Sequence, residues 1–169
     1  MRTIICEKFP RILKNKKRLE EALDIKIENR GKEIFIEGGG EEEYIAEKVI
    51  DALNLGFPFS IELLIKEEDF EFEILNIKDF TKTHNLERVR ARIIGKNGKT
   101  LKTLSILTKC YFELKDNCVC IIGESEYMKN AQDAIIAIIQ GSKHSNVYSY
   151  LEKNQVKSEI DLGLKNKND

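Results

Sequence analysis

The chain has 169 residues, of which 41% are hydrophobic and 34% are charged, and its 28 basic and 29 acidic side chains give a net charge of −1 at pH 7. This composition excludes wholesale disorder and collagen-like repeats, and any signal for nucleic-acid binding has to be local, because the net charge is close to zero. The purest apolar run, residues 134–139, is too short to span a membrane, and charges occur too early for a secretory signal core. We therefore expect a cytoplasmic protein with no membrane partner.

The first third of the chain is predicted to hold three strands and a basic helix, followed by a second helix. In chain order, these elements fall at residues 3–6, 11–23, 25–27, 34–36 and 45–53. The helix after residue 6 is basic at its start, and a turn at 29–31 separates the two later strands. Gly56 is a plausible C-terminal stop for the last helix.

The second part of the chain repeats this order after a linker. A strand, two helices, two strands and a helix are predicted at residues 70–74, 86–94, 99–109, 110–114, 118–122 and 127–138. The linker covers residues 58–69 and includes a short helix at 60–66, while the chain becomes polar after Gly141 and is expected to fray at its end.

Residues 36–56 and 121–141 align with each other at a constant offset, with glycines at both ends of each segment. Chance similarity among helices rich in Lys, Ile and Ala is the alternative to duplication. Because the order of elements agrees as well, we interpret the pattern as two copies of a strand–helix–helix–strand–strand–helix unit. Units of this size are marginally stable alone, so the two copies are expected to pack together.

The stretch with the clearest chemistry is Gly95-Lys96-Asn97-Gly98, between two predicted helices. Two glycines let the backbone turn sharply and approach a ligand without a Cβ atom in the way, and the following helix points free N–H groups at the same place. Residues 88–102 contain six basic residues and no acidic one, whereas 62–73 is strongly acidic. Residues 98–100 resemble the end of a P-loop, which requires a glycine five residues before Gly98. That position is Ile93, so nucleotide hydrolysis is disfavoured.

A Gly-x-x-Gly turn in this order of elements resembles the type I KH domain, which clamps about four nucleotides of single-stranded RNA. Residues 88–100 (RVRARIIGKNGKT) and 141–152 (GSKHSNVYSYLE) resemble the Partner-of-Nob family more specifically, and the compact length resembles its archaeal members. The family is made of two-KH proteins of small-ribosomal-subunit assembly.

The resemblance implies an α+β fold of two tandem type I KH domains (β-α-α-β-β-α each), with a three-stranded sheet and helices packed on one face. The predicted boundaries are a degenerate first KH domain at 1–57, a linker at 58–69, a KH domain with the glycine loop at 70–142 and a polar tail at 143–169. The expected RNA-binding residues are Arg90, Arg92, Ile93, Ile94, Gly95, Lys96, Asn97, Gly98, Lys99, Thr100, Leu101 and Lys102. The strand at 111–114 is expected to form the opposite wall of the groove.

The resemblance also implies partners: the single-stranded 3′ region of small-subunit rRNA, a Nob-type endonuclease and the alpha subunit of translation initiation factor 2. Two departures from the family stand out. The equivalent loop of the first copy, residues 13–16, has neither glycine, which favours a scaffold or protein-docking role for that copy. The tail has Lys143 and Ser145 where the family tends to have Pro and Gly.

No catalytic set, metal site or cofactor is expected. Cys118 and Cys120 share one face of a strand and Cys110 is near in sequence, but a fourth metal ligand is not evident, so buried thiols are favoured. His144 lies in the family-like tail and either touches RNA or packs. The leading hypothesis is a non-catalytic RNA-binding assembly factor. The alternatives are a protein-interaction adaptor in translation initiation with weak RNA affinity, a general KH RNA-binding subunit, and a bare helix–turn–helix corner.

Overall fold

The structure is a computed structural model and describes residues 1–156. It contains two three-stranded antiparallel sheets. The strands of the first sheet are β1 (Arg2–Ile5), β2 (Lys26–Arg30) and β3 (Glu33–Glu37), in the order β1-β3-β2. Those of the second sheet are β4 (Phe70–Asn76), β5 (Tyr111–Lys115) and β6 (Cys118–Glu124), in the order β4-β6-β5. The two sheets therefore have the same strand order, with the last strand of each at the centre.

Seven α-helices accompany the sheets within the described residues. They are α1 (Phe9–Leu23), α2 (Gly40–Leu55), α3 (Phe59–Glu62), α4 (Leu86–Ile94), α5 (Lys99–Thr108), α6 (Ser125–Ile139) and α7 (His144–Lys153). Short 3-10 turns lie at Leu63–Lys66, Ile77–Asp79 and Lys96–Gly98. None of the helices described is long and apolar enough to cross a lipid bilayer.

The second half has the predicted order β4-α4-α5-β5-β6-α6, but the first half does not contain two helices between its first two strands. A single helix, α1, runs without a break through residues 13–16, where the second half has its glycine loop. Lys, Asn and Leu in those positions all accept helical dihedral angles, and nothing there forces a left-handed turn. A mixed α/β fold with a three-stranded sheet is thus present, while the assignment of the first half as a KH domain stays a prediction.

Strand β6 is the central structural element, because it is buried on both faces. Val119 and Ile121 point into the core beneath α4–α7, whereas Cys120 and Ile122 point into the core of the first half. All of these side chains are fully buried. Helices α4–α7 therefore pack on one face of the second sheet, and the first half of the molecule covers its other face.

Contacts near the linker join the two halves. The Phe57 ring, which follows α2, packs edge-on against Phe72 of β4, with ring centroids 6.5 Å apart. The ammonium group of Lys115, at the end of β5, lies 2.7 Å from a carboxylate oxygen of Glu7 and also donates to the Asn54 carbonyl oxygen over 3.4 Å. Because Phe72 and Lys115 belong to two strands of the second sheet, the first half holds that sheet at two places.

Helix α7 lies within the region predicted to be a polar tail. It buries Val147 and Leu151 in the second core and contacts α5 and α6. Its apolar positions are four residues apart, which is the spacing of one helix face and not of a frayed tail. The expected fraying beyond residue 156 lies outside the described residues.

Glu62 is an exception in the core, because its carboxyl group is completely buried in the linker helix α3. Nothing within residues 1–156 donates a hydrogen bond to either of its oxygens. Burial raises the pKa of this carboxyl to about 8, and the nearby charge of Arg11 offsets only part of that effect. The folded protein therefore keeps Glu62 protonated at neutral pH, whereas the unfolded chain ionises it near pH 4.5.

Replacing Glu62 with Gln should change the pH dependence of stability. Since the folded state holds a proton that the unfolded state releases, the free energy of unfolding of the wild type should fall as pH rises from 5 to 8. Relative to Glu62→Gln, the expected fall is roughly 3 kcal/mol, measured by urea unfolding at several pH values. Glu68→Gln, an exposed linker residue, is the control and should follow the wild type. Parallel pH curves for wild type and Glu62→Gln would refute the assignment.

Candidate functional site

The glycine loop of the second half is a sharp turn between α4 and α5, built from three left-handed residues. Gly95 (φ 74°, ψ 174°) ends α4, Asn97 (φ 55°, ψ 31°) lies in the short 3-10 turn, and Gly98 (φ 73°, ψ 11°) precedes α5. The amide of Gly98 donates to the Gly95 carbonyl oxygen over 3.2 Å and closes the turn. The sequence prediction of a helix break between residues 94 and 99 is confirmed.

The two glycines are required for different reasons. A Cβ atom on Gly95 would lie 2.7 Å from the Cβ of Thr100 and 2.8 Å from the Thr100 amide nitrogen, so the turn is too tight for any side chain there. At Gly98, a Cβ atom would meet nothing within 4 Å. The constraint on Gly98 is therefore its backbone conformation, which costs other residues about 1 kcal/mol.

The N-terminus of α5 lacks the side chains that normally satisfy a helix start. Gly98 occupies the N-cap position and supplies no side-chain hydrogen bond, and no acidic residue lies in the first turn. Instead, Lys96 and Lys99 are exposed at this end, and Lys102 follows one turn later. Cations beside free N–H groups at a helix N-terminus repel the helix dipole and favour a bound anion such as phosphate.

An open groove of about 290 Å³ runs beside the loop, between α4 and the end of β5. Its lining residues are Glu87, Arg90, Ala91, Ile94, Leu114 and Asp116. The four residues from α4 are spaced as one helix face, and Ile94 is 38% exposed although it is aliphatic. The groove therefore has an apolar floor next to the loop and polar groups farther along α4.

Arg92 does not face the groove. Its guanidinium donates to the carbonyl oxygen of Ile138, in the last turn of α6, over 3.0 Å, and to that of Ser142, just beyond α6, over 2.7 Å. Its own carbonyl oxygen lies 2.8 Å from Nε2 of His144, the first residue of α7. The guanidinium of Arg92 therefore holds α4 against the C-terminal helices, and a contact between Arg92 and RNA stays a prediction.

Other residues expected to contact RNA are partly or fully buried. Ile93 is fully buried and Thr100 is 6% exposed, while Leu101 is half-buried against the second core. The exposed members of the predicted set are Ile94, Lys96, Asn97, Lys99 and Lys102, with Arg90 half-buried at the groove. The structure thus brings together the loop, Arg90 and Ile94, leaves Lys99 and Lys102 exposed along α5, and buries Ile93 and Thr100.

Three groove residues, Glu87, Ala91 and Asp116, are missing from the residues predicted from sequence. The helical spacing of Glu87 and Ala91 with Arg90 and Ile94 is a signal that could have identified the first two. Asp116 could not be placed from sequence, since its position depends on how the β5–β6 turn approaches α4. There, the carbonyl oxygen of Asp116 accepts a hydrogen bond of 3.1 Å from Arg90.

The corresponding surface of the first half has no loop. The exposed Lys14 and half-buried Asn15 lie inside the continuous helix α1, where the Asn15 amide donates to the Arg11 carbonyl oxygen over 2.9 Å. The guanidinium of Arg18 lies over the Phe59 ring, 4.5 Å from its centroid. These basic residues are therefore on a closed helical surface with no backbone N–H groups open to an anion.

The described residues show no feature that supports nucleotide hydrolysis, thiol chemistry or metal binding. Gly98 is preceded by a helix, not by the strand of a P-loop, and Thr100 is buried. Burial raises the pKa of Cys110 to about 11 and that of Cys120 to about 12, so both thiols are protonated at neutral pH. In the part of the chain that is described, no three potential metal ligands are grouped together.

Comparison with known proteins agrees with this geometry. A family model for the second domain of PNO1, described as a eukaryotic-type KH domain (type I), matches residues 71–156. A KH domain-containing protein, MJ0443 of Methanocaldococcus jannaschii, is 28% identical over 149 residues, which are 84% of this chain and 66% of that protein. The pre-rRNA-processing protein PNO1 of Saccharomyces cerevisiae is 33% identical over 106 residues, covering 60% of this chain and 38% of that protein.

Two solved structures from Pyrococcus horikoshii OT3 are similar in fold. Dim2p has a TM-score of 0.81 and 25% identity, covering 90% of this chain and 98% of that one. A chain in the a/eIF2alpha–aDim2p–rRNA complex has the same TM-score and identity, covering 90% of this chain and 92% of that one. The chain spans just under two thirds of the Methanocaldococcus relative and about two fifths of the yeast relative.

Alanine substitution should separate the roles of the two loop glycines. Gly95→Ala forces a Cβ atom against the Thr100 backbone and should lower the free energy of unfolding by roughly 3 kcal/mol. Gly98→Ala meets open space and should cost about 1 kcal/mol. Urea unfolding of both variants measures the difference, and equal losses would contradict the steric explanation for Gly95.

Replacing Arg92 should affect stability, because its guanidinium satisfies two backbone carbonyls. We expect Arg92→Gln to lower the free energy of unfolding by about 2 kcal/mol. Arg88→Gln, the matched change at an exposed position of the same helix, should stay within about 0.5 kcal/mol of the wild type. Thermal or urea unfolding gives the comparison, and an Arg92→Gln variant as stable as Arg88→Gln would show that the carbonyl contacts contribute little.

Proposed function

Because this chain belongs to the Partner-of-Nob family of proteins with a eukaryotic-type (type I) KH domain, we propose that it binds single-stranded RNA as a ribosome biogenesis factor. The observation that carries this proposal is the open loop from Gly95 to Gly98, which places the exposed Lys96 and the uncapped start of α5, with Lys99, beside a groove that has a partly apolar floor. In a KH domain, such a loop holds the RNA backbone while bases lie in the groove.

In this proposal, different parts of the site bind the phosphates and the bases of the RNA. Exposed cations lie on the loop and the first turn of α5, at Lys96, Lys99 and Lys102. When they neutralise RNA phosphates, the counterions of those phosphates are released. Ile94, Ala91 and Leu114 supply an apolar surface against which a base can be buried. Phosphate contacts fix position, and contacts to the bases provide selectivity.

The proposed target is the 3′ region of small-subunit rRNA, with a role in its maturation. Support comes from relatives described as pre-rRNA-processing proteins and from the complex of Dim2p with rRNA. In this proposal the chain is not itself an enzyme and works in the cytoplasm. In the same proposal, it presents the RNA to a Nob-type endonuclease.

The alpha subunit of translation initiation factor 2 is a second proposed partner, because the Pyrococcus complex contains a/eIF2alpha together with Dim2p and rRNA. The first half, residues 1–57, is the candidate scaffold, joined through the linker 58–69 to the RNA-binding unit 70–142. The alternative function, an initiation adaptor with weak RNA affinity, rests on the same complex. In the alternative, the glycine loop is only a corner of the fold.

RNA binding with a charge-reversed loop distinguishes the two functions. A Lys96→Asp, Asn97→Asp double variant places two negative charges at the phosphate site and should lose roughly tenfold or more in affinity, with a shallower salt dependence. Fluorescence anisotropy with a short single-stranded RNA copying the 3′ end of small-subunit rRNA measures both. A scrambled RNA of the same composition should bind more weakly.

The chain offers a closely matched control. Lys14→Asp, Asn15→Asp makes the same chemical change in α1, at the position equivalent to the loop, and should retain affinity within about twofold because no anion site lies there. If the loop variant binds as tightly as the wild type, the adaptor function replaces the proposed one. If both double variants lose affinity equally, binding is a general charge effect and not the work of the loop.

A further inference from the structure

Strand β4 forms one edge of the second sheet, and the groove lies at the opposite edge. The strand order β4-β6-β5 places β6 between them, so β4 is hydrogen-bonded to β6 on one side only. Within residues 1–156, no further strand lies against its other side. An unpaired edge presents backbone N–H and C=O groups to which another strand can bind.

The hydrogen bonds at the two ends of β4 show which of its backbone groups are free. Before the strand, the Asp69 carbonyl oxygen accepts a bond of 2.7 Å from the Ser125 amide. After it, the Ile77 amide donates to the Asn117 carbonyl oxygen over 2.8 Å. The pairing with β6 continues without a break between these two points, and antiparallel pairs alternate between bonded and non-bonded residues. The odd-numbered residues of β4 therefore bond to β6, and the N–H and C=O groups of the even-numbered ones point to the free edge.

Phe72 and Ile74 are the open centre of this edge. At Phe70 the amide is already used, because it donates to the Glu67 carbonyl oxygen over 3.1 Å. The side chain of Ile74 is 46% exposed although it is aliphatic, whereas Phe72 is half-buried and packs against Phe57. An added strand therefore gains backbone bonds at residues 72 and 74 and covers the side chain of Ile74.

The same edge carries a concentration of negative charge. Five acidic side chains in and just before β4 are exposed: Glu67, Glu68, Asp69, Glu71 and Glu73. The ion pairs formed among residues 1–156 include none of them. Because side chains alternate along a strand, Glu71 and Glu73 lie on the face of the sheet opposite to that of Ile74. A strand that fits this edge has basic side chains on one face and apolar side chains on the other.

Charge also decides against two other occupants. If β4 paired with β4 of a second copy, the glutamates of both strands would share one face, and like charges on opposed residues destabilise a sheet. RNA phosphates are repelled by the same five carboxylates. Strand β2, an edge of the first sheet, carries both signs of charge and gives no comparable preference.

We propose that the free edge of β4 is a docking site for an extended basic segment of a partner protein, which adds to the second sheet as a fourth strand. Backbone bonds at Phe72 and Ile74 hold the segment, and Glu71 and Glu73 select Lys or Arg on one of its faces. Because β6 separates this edge from the groove wall β5, the segment and an RNA in the groove can be bound at the same time.

The test uses the full chain and a short fluorescent peptide in which Lys and Val alternate, with both ends blocked. Fluorescence anisotropy at low salt should detect binding of this peptide, whereas a peptide with Glu in place of each Lys should not bind. No binding of the Lys–Val peptide, or equal binding of both peptides, overturns the proposal.

Hydrogen exchange measured by NMR shows whether the peptide binds as a strand. In the free protein, the amides of Phe72 and Ile74 should exchange faster than those of Glu71 and Glu73, which bond to β6. Saturating peptide should slow exchange at Phe72 and Ile74 roughly tenfold or more, because both amides become hydrogen-bonded. Unaltered exchange at both positions in the presence of bound peptide contradicts strand addition.

Variants of the edge separate its backbone from its charge. Ile74→Pro removes an outward N–H group that β6 does not use and should weaken peptide binding roughly tenfold, whereas Ile74→Thr keeps that group and should cost about threefold. A Glu71→Gln, Glu73→Gln double variant should weaken binding roughly fivefold. The matched control is Glu33→Gln, Glu37→Gln, at exposed positions of the central strand β3, and should stay within about twofold of the wild type.

Equal losses in the two glutamine double variants would mean that the peptide responds only to overall charge, and the docking site would be rejected. Self-association of the wild type that Ile74→Pro abolishes would replace the basic partner with a second copy of the chain. The site does not depend on RNA binding: the Lys96→Asp, Asn97→Asp variant should bind the peptide within about twofold of the wild type. Loss of RNA binding in that variant therefore leaves this proposal intact.

Discussion

The burial of β6 on both faces is the constraint on which the rest of the molecule depends. Its side chains at 119 and 121 belong to one core and those at 120 and 122 to the other, so neither half can be repacked without affecting its neighbour. Strand β5, which forms the far wall of the groove, is hydrogen-bonded to β6 along its length. The distance between that wall and α4 is therefore set by two cores together, which gives the first half a role in shaping a site that it does not line.

The site itself depends on a backbone conformation that only a short stretch of sequence can adopt. Three left-handed residues within four positions let α4 and α5 meet at the loop and leave the start of α5 without a side-chain cap. Arg92 stabilises this arrangement from the other side of α4, since its guanidinium donates to one carbonyl in the last turn of α6 and to one just beyond it. The same helix thus offers Arg90 and Ile94 to the groove and Arg92 to the protein interior, in keeping with its 3.6-residue period.

Much of the fold and the loop could be predicted from the sequence, because both are encoded locally. Alternating apolar residues in β4 and the pair Gly95 and Gly98 carry their own signals. Interactions between distant segments were not predictable in this way. The contacts of Arg92 depend on where α6 ends, and the approach of Asp116 to α4 depends on how the β5–β6 turn lies against that helix. The spacing of apolar residues is a signal for α7 and for the groove face of α4. The polar composition of residues 143–169 obscured the signal for α7.

The ion pair between Glu7 and Lys115 joins residues 108 positions apart in the chain. During synthesis, the first half leaves the ribosome long before β6 exists, so the apolar surface that later receives Cys120 and Ile122 has no cover at that stage. Contacts of such long range are slow to form, since a large loop must close before they contribute. The groove is therefore completed only after β5 and β6 have been made and have packed against the first half. A partly synthesised chain therefore cannot bind a ligand in this groove. A truncated chain exposes an uncovered apolar face that quality-control chaperones and proteases recognise.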